Sequence, residues 1–391
     1  MKIRVGVFFG GRSVEHEVSV ISGLQAFAAL DKQKYDAIPV YITKEGHFYT
    51  GPNFGGIAAY RDIPALLRSG DRVLPASADG RAVLVRHPAK RLGGNVLATI
   101  DIAMPVVHGT NAEDGALQGF LEMLNIPYTG PDVLSAALCM DKAASKTLLR
   151  DAGLPVLPAL TVSAFNWIEH PDAEVRRVEG EFAYPVVVKP VNLGSSVGIT
   201  LASTREALCR ALDLGFKFAA KALVEPAVVS LREINCAVLG DAEETRASVC
   251  EEPVGGGDIL SYQDKYLSSG KQAGMQSARR RIPAELPEGQ AKAIQALAVK
   301  TFQALGCGGV ARVDFLLDRE TSNVYVNEIN AIPGSLSFYL WEPVGVSFPK
   351  LLDEMLSLAL KRRRERGNLS FAYETNILAG VTLGGKKSGK L

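Results

Sequence analysis

The chain has 391 residues, 47% hydrophobic and 22% charged, which is enough for two or three ordinary globular domains. Its 43 Lys+Arg balance 42 Asp+Glu to a formal charge of +1, so no global field draws it to nucleic acid or to an anionic membrane. Five Cys are scattered without CxxC spacing, which suggests neither a disulfide framework nor a zinc site.

Residues 3–9 are a continuous apolar strand at the very N-terminus, which argues against a signal peptide. No apolar run approaches the roughly 18 residues that a membrane helix needs. A soluble protein of a reducing, cytoplasmic compartment is therefore expected. Gly10-Gly11 and a helix over 17–30 follow, then strands over 37–42 and 100–107, then a glycine-bearing loop and a helix over 115–124. Apolar strands alternating with helices predict an α/β domain with a parallel sheet over 1–130, with ligands at the C-terminal ends of its strands. Glu15, in Gly-Gly-Arg-Ser-Val-Glu-His-Glu-Val-Ser, lies at that edge, where a carboxylate can hold an ammonium. His108, in His-Gly-Thr-Asn-Ala-Glu-Asp-Gly, follows the third strand to the same edge. Residues 51–98 carry weaker patterns and are read as elaboration on this domain.

A second region, 131–226, opens with Met140-Asp141-Lys142 at a helix start and continues through the strand Val186-Val187-Val188-Lys189. A loop of small residues comes next, Asn192-Leu193-Gly194-Ser195-Ser196-Val197-Gly198. Small residues let backbone N–H groups close around phosphate oxygens, and Lys142 and Lys189 could supply point charges. A β-turn beside an exposed Lys would read the same way, and the Walker A order is absent. The third region, 227–360, contains a long glycine-rich loop over 255–274 with Lys265-Tyr266 midway. Such a loop is either a lid or an insertion without a role. Residues 361–391 are read as a polar tail, partly disordered.

Two segments near the end of the third region bear the most chemistry. Arg312-Val313-Asp314-Phe315 and Asn327-Glu328-Ile329-Asn330 read as strands, joined by a turn over 318–323. Side chains alternate along a strand, so Arg312 and Asp314 share one face, as do Glu328 and Asn330. If the two faces coincide, carboxylate and amide oxygens suited to Mg²⁺ converge beside a guanidinium suited to an oxyanion. A surface hairpin with ordinary ion pairs is the bland alternative.

Taken together, these segments resemble the D-alanine–D-alanine ligases of the ATP-grasp superfamily, in the family's order from residue 10 to about 334. The resemblance implies an ATP-grasp fold of three domains, 1–130, 131–226 and 227–360, with ATP between the second and third. It implies Mg²⁺ or Mn²⁺, two ions with ATP, and a homodimer. It implies ligation of two D-alanines through a D-alanyl phosphate for cell-wall synthesis. By the same resemblance, Glu15 matches the acid on the first D-alanine's amino group, and His108 the histidine near its carboxylate. Lys142 and Lys189 match the phosphate lysines. Ser195, with Ser196 beside it in the ATP loop, matches the serine bonded to that acid and to the lid tyrosine. Glu225 and Glu233 match acids on adenine and ribose, although one extra residue separates them here. Lys265 and Tyr266 match the lid pair, Asp314, Glu328 and Asn330 the metal ligands, and Arg312 with the Gly334 amide the oxyanion donors. Tyr339 stands where many members carry a serine for the second substrate's carboxylate, with Leu340 after it. That departure leaves D-serine or D-lactate open as second substrate. A nucleotide-binding protein without turnover is the remaining reading.

Overall fold

The computed structural model describes residues 2–194, 197–254, 280–372 and 375–376. Three sheets organise them. The first contains β1 (Ile3–Gly10), β2 (Tyr35–Ile42), β3 (Phe48–Thr50), β4 (Asp71–Ala78), β5 (Arg81–Arg86), β6 (Val96–Ile100) and β7 (Ile102–Pro105), in the order β6-β5-β4-β3-β2-β1-β7. β1 pairs in parallel with β2 and with β7, as a strand apolar and buried from Val5 onward should. Beyond β2 the sheet turns antiparallel, so the expected parallel sheet covers only its β2-β1-β7 side. One of its hairpins has a local cause: Asp79 (φ 50°) and Gly80 (φ 70°) close a two-residue turn between β4 and β5. An Asp-Gly pair favours that turn, so residues 51–98 did carry a legible signal. Helices α1 (His16–Ala29), α2 (Ile63–Ser69) and α3 (Ala116–Met123) accompany this sheet.

Two short helices, α4 (Val133–Met140) and α5 (Lys142–Asp151), meet at Asp141, whose carboxylate caps α5 through the N–H groups of Ala143 and Ala144. The second sheet follows, with β8 (Leu160–Ser163), β9 (Val186–Pro190), β10 (Thr200–Ala202) and β11 (Lys221–Pro226) in the antiparallel order β10-β9-β11-β8. Helices α6 (Ala164–Glu169), α7 (Pro171–Glu181) and α8 (Arg205–Gly215) complete its layer, and Val162, Val178, Val188 and Leu212 form its core. The third sheet contains β12 (Leu231–Gly240), β13 (Thr245–Pro253), β14 (Arg280–Arg281), β15 (Gly309–Asp318) and β16 (Val324–Asn330), in the order β14-β13-β12-β15-β16. Helix α9 (Glu288–Ala304) packs on it through Ile294, Ala298 and Phe302.

Packing departs from the expected segment borders in two places. Cys139, Leu149 and Leu154 lie in the core of the third sheet, not of the second, so α4 and α5 carry their side chains to the β15–β16 hairpin. The last helix, α10 (Phe348–Gly367), runs past residue 360, so 361–367 is helix rather than tail. Its Leu351, Leu352, Met355 and Leu356 share one core with Val5 and Val7 of β1 and with Ala237 and Leu239 of β12. Burying each such side chain contributes roughly 1.5–3 kcal/mol, so α10 holds the first and third sheets firmly together. The chain between them makes an unusual turn: Ser335, Leu336 and Ser337 are all left-handed, with φ of 51°, 53° and 49°. Each costs about 1–2 kcal/mol without glycine, so neighbouring contacts must impose it.

Candidate active site

The β15–β16 hairpin settles the question of faces. Arg312 lies opposite Asn330 and Asp314 opposite Glu328, with a bulge immediately after Asp314. All four positions therefore lie side by side on the hairpin. Arg312 grips Asp314 bidentately at 2.6 and 2.7 Å, and the Asn330 amide donates to the same carboxylate at 3.0 Å. Burial opposes the Arg312 charge, but Asp314 outweighs it and raises the guanidinium above its ordinary range. Across the cleft, Lys142 at the start of α5 reaches Glu328 at 2.9 Å and donates to the Leu193 carbonyl at 2.7 Å. Two carboxylates and an amide oxygen suit a hard divalent cation, and both carboxylates already carry a positive partner that such an ion could replace. Among the described residues no group of three or more His, Cys, Asp or Glu gathers, so a metal here would rest on this mixed set.

Lys189, on β9, extends the same line of charge. It contacts the Glu225 carboxylate on β11 and donates to the Asn327 side chain at 2.8 Å. Glu225 is almost wholly buried, and its second oxygen pairs with Lys146 at 2.8 Å. Burial alone would raise the Glu225 pKa, but Lys189 and Lys146 together lower it. Lys146 is lowered in turn, chiefly by its own desolvation. Sequence reasoning missed Lys146. The signal available was its spacing from Lys142, four residues along one helix and therefore on one face. Glu225 thus turns its carboxylate inward to two lysines. Glu233 lines the adjoining cleft between the second and third sheets, beside Val187, Leu201, Leu231 and Phe315.

The edge of the first sheet is built differently. Gly10 and Gly11 leave β1 with φ of 94° and 106°, and Glu15 follows at the start of α1, buried. A Cβ on Gly109 or on Gly194 would stand 2.9 Å from a Glu15 oxygen, so both loops close on that carboxylate. His108 has both ring nitrogens engaged: Nδ1 faces the Ile332 carbonyl and Nε2 the Ser22 hydroxyl, each at 2.9 Å. The carbonyl requires a proton on Nδ1, and burial pushes the imidazole down to about 4, so it is neutral. Ser22 also accepts the Ser335 N–H at 2.9 Å, and Gln25 accepts the Ser335 hydroxyl at 2.7 Å. Glu113 accepts the Gly109 N–H at 2.7 Å and the Ile332 N–H at 3.3 Å. Ser22, Gln25 and Glu113 had no sequence signal tying them to residues 332–335.

Tyr339 donates to Glu251 at 3.3 Å and lies under the Arg280 guanidinium, 4.4 Å from the ring centre. Burial raises its phenol, and Glu251 adds to the effect. Leu340 is fully buried in the core shared with α10, so its side chain packs there and does not line the cleft. Gly334 opens the turn that precedes it. Ser195, Ser196, Lys265 and Tyr266 lie outside the described residues.

Comparisons with known proteins bear on this arrangement. The profile described as D-ala D-ala ligase N-terminus matches residues 4–131, and that described as D-ala D-ala ligase C-terminus matches residues 148–357. The D-alanine--D-alanine ligase of Thermoanaerobacter sp. is 40% identical over 376 residues, 93% of this chain and 98% of that protein. The one from Caldicellulosiruptor bescii is 39% identical over 384 residues, 95% and 99% of the two chains. Among solved structures, the D-alanine-D-alanine ligase from Coxiella burnetii superposes with a TM-score of 0.78 at 32% identity, covering 94% of this chain and 96% of that one. The VanG D-Ala:D-Ser ligase from Enterococcus faecalis superposes with a TM-score of 0.79 at 30% identity, covering 92% and 100%.

Proposed function

The chain belongs to the D-alanine–D-alanine ligase family, and from that premise we propose how its residues divide the work of an ATP-dependent ligase. The reaction joins two D-alanines, with ATP converted to ADP and phosphate, for cell-wall synthesis. The observation that carries the residue assignment is the register of the β15–β16 hairpin, which puts Arg312, Asp314, Glu328 and Asn330 side by side, with Lys142 on Glu328 and Lys189 on the neighbouring Asn327.

In the first step a carboxylate oxygen of the first D-alanine attacks the γ-phosphorus of ATP, and ADP leaves. Positioning and charge neutralisation are most of what phosphoryl transfer needs from a protein. Lys142 and Lys189 exchange their carboxylate partners for phosphate oxygens. Asp314, Glu328 and the Asn330 amide would hold Mg²⁺ or Mn²⁺, two ions with ATP, and the metal supplies charge neutralisation on the phosphates. Arg312 then releases Asp314 and turns to the transferring group. In the second step the amine of the second D-alanine, having lost a proton, attacks the acyl phosphate carbonyl, and phosphate leaves. Arg312 and the Gly334 N–H hold the oxyanion, where losing one donor typically lowers kcat by about 10²–10³. Glu15 seats the first amine, and neutral His108 holds the loop beside it in place. Lys265, Tyr266, Ser195 and Ser196 are assigned to the lid and the phosphate loop on the resemblance alone. The enzyme works in the cytoplasm as a homodimer.

Tyr339 favours a second reading of the second substrate. Its hydroxyl, which donates to Glu251, stands where many members carry a serine, and one similar structure is a D-Ala:D-Ser ligase, so a D-alanine–D-serine product is the alternative. The mechanism is tested with D-alanine labelled with ¹⁸O in its carboxylate. One label should appear in the phosphate released for each dipeptide made. Phosphate free of label would exclude an acyl phosphate.

A further inference from the structure

Glu113 has no task in the ligation steps above, yet it sits where three segments meet. One oxygen accepts the Gly109 N–H at 2.7 Å, and the other accepts the Ile332 N–H at a longer 3.3 Å. The Ile332 carbonyl is held from the other side by His108 Nδ1 at 2.9 Å. Both backbone polar groups of Ile332 are thus held by one short loop of the first domain. Two residues further on lies the Gly334 amide, and after it the left-handed turn over 335–337. Backbone so far from its preferred conformation keeps its geometry only while neighbours dictate it. Here Ser22 and Gln25 fix Ser335 beyond Gly334, and Glu113 and His108 fix Ile332 before it.

Glu113 also shares a neighbour with the amine site. Gly109, whose N–H it accepts, is the residue on which a Cβ would stand 2.9 Å from a Glu15 oxygen. The charged groups that face Glu113 are Glu15, from the loop before α1, and Arg312, from β15. The ring of His108, on the same loop, is neutral.

We propose that Glu113 is a positioning residue that couples occupancy of the amine site at Glu15 to alignment of the Gly334 amide, through its grip on the Ile332 N–H. The proposal rests on the reading of Glu15 and Gly334 given above. Desolvation, with Glu15 adding to it, pushes Glu113 up to about 8, so in the empty site near neutral pH it keeps its proton. A neutral carboxyl accepts N–H groups more weakly than a carboxylate, whose charge-assisted bonds are about twice as strong. When the first substrate's ammonium docks on Glu15, its charge cancels the Glu15 repulsion and attracts a Glu113 carboxylate, against the desolvation that remains. Glu113 then releases its proton to solvent, and the carboxylate draws in the Ile332 N–H. The oxyanion donor is set as the first substrate is seated, and before the second attacks.

The test is calorimetric titration of D-alanine into the full-length enzyme loaded with the imido analogue of ATP and Mg²⁺, in two buffers of different ionisation enthalpy. Wild type should release up to one more proton per site than Glu113→Gln near pH 7, and the difference should fade as pH rises past about 8. In steady state, Glu113→Gln should lower kcat by about 10–100-fold, the order expected for a displaced catalytic group, with KM for ATP unchanged within about twofold. Equal proton release by the two proteins, or a wild-type kcat in Glu113→Gln, would overturn the proposal. If the variant does not fold, wild type alone decides, and heats independent of the buffer between pH 6 and 8 overturn it. Arg312→Ala separates this failure from failure of the underlying reading. A dead Arg312→Ala beside a normal Glu113→Gln sinks only the coupling, whereas an active Arg312→Ala sinks the oxyanion assignment itself.

Discussion

The cleft between the second and third sheets and the edge of the first sheet use charge in opposite ways. In the cleft, carboxylates meet cationic side chains: Asp314 with Arg312, Glu328 with Lys142, Glu225 with Lys189 and Lys146. At the edge, His108 and Glu113 meet backbone instead, at Ile332 and Gly109. Side-chain pairs can exchange partners, as the proposed roles of Lys142, Lys189, Asp314 and Glu328 require. Bonds to backbone shape the chain and cannot be traded without moving it. The cleft is thus built to change partners, and the edge to keep its partners while the bonds to them tighten or slacken.

The sharpest way to break this contrast is to remove an exchangeable acid. Glu328→Gln should lower kcat by about 10²–10³-fold, the range seen when a group acting on transition-state charge is lost, while the fold survives. Near-normal turnover with an unchanged melting curve would show that the hairpin is misread. Removing Lys146 should act the other way, on stability first. Lys146→Met leaves the buried Glu225 with one lysine and should cost about 3 kcal/mol in urea unfolding, since a broken buried pair leaves charge uncompensated. A loss below 1 kcal/mol would mean that Lys189 alone satisfies Glu225.

The edge should betray itself through pH. His108 titrates near 6.5 when unfolded and is pushed down to about 4 by burial in the folded chain. Between those values the unfolded state binds a proton that the folded state refuses, so stability rises with pH across that window. The contribution, about 3 kcal/mol, should be full above pH 6.5 and lost as pH falls through 4. His108→Asn should flatten that part of the stability–pH curve, and an unchanged curve would place the imidazole in water. A smaller effect is expected at Tyr339. Tyr339→Phe should raise KM for the second amino acid by up to about tenfold, as expected for a hydrogen bond worth roughly 1.5 kcal/mol, and leave the first nearly untouched. Equal effects on both substrates would remove Tyr339 from the second-substrate site.

How much was legible in the sequence follows the same division. The β15–β16 hairpin could be read because alternation puts Arg312 with Asp314 and Glu328 with Asn330 on one face each, and the turn over 318–323 fixes their register. The parallel core of the first sheet was readable from the unbroken apolar run of β1, but its antiparallel extension needed closer attention to Asp79-Gly80. Glu225 was singled out, though not its inward pairing with Lys146, because the lysine comes from a helix that packs on another sheet. The left-handed turn at 335–337 was invisible. Ser-Leu-Ser carries no local preference for it, and the contacts that impose it come from residues 22 and 25, with 108 and 113 holding the chain just before it. Local rules reveal what a strand can present, whereas tertiary contacts decide which backbone is held against its own preference.

The most direct measurement is ADP formation with Mg²⁺ and D-alanine alone, set beside D-alanine paired with D-serine, with each product identified by mass. ADP and a dialanine mass from D-alanine alone are predicted. No ADP from D-alanine alone, or a product only from the mixed pair, would contradict the assignment of both amino-acid sites to D-alanine.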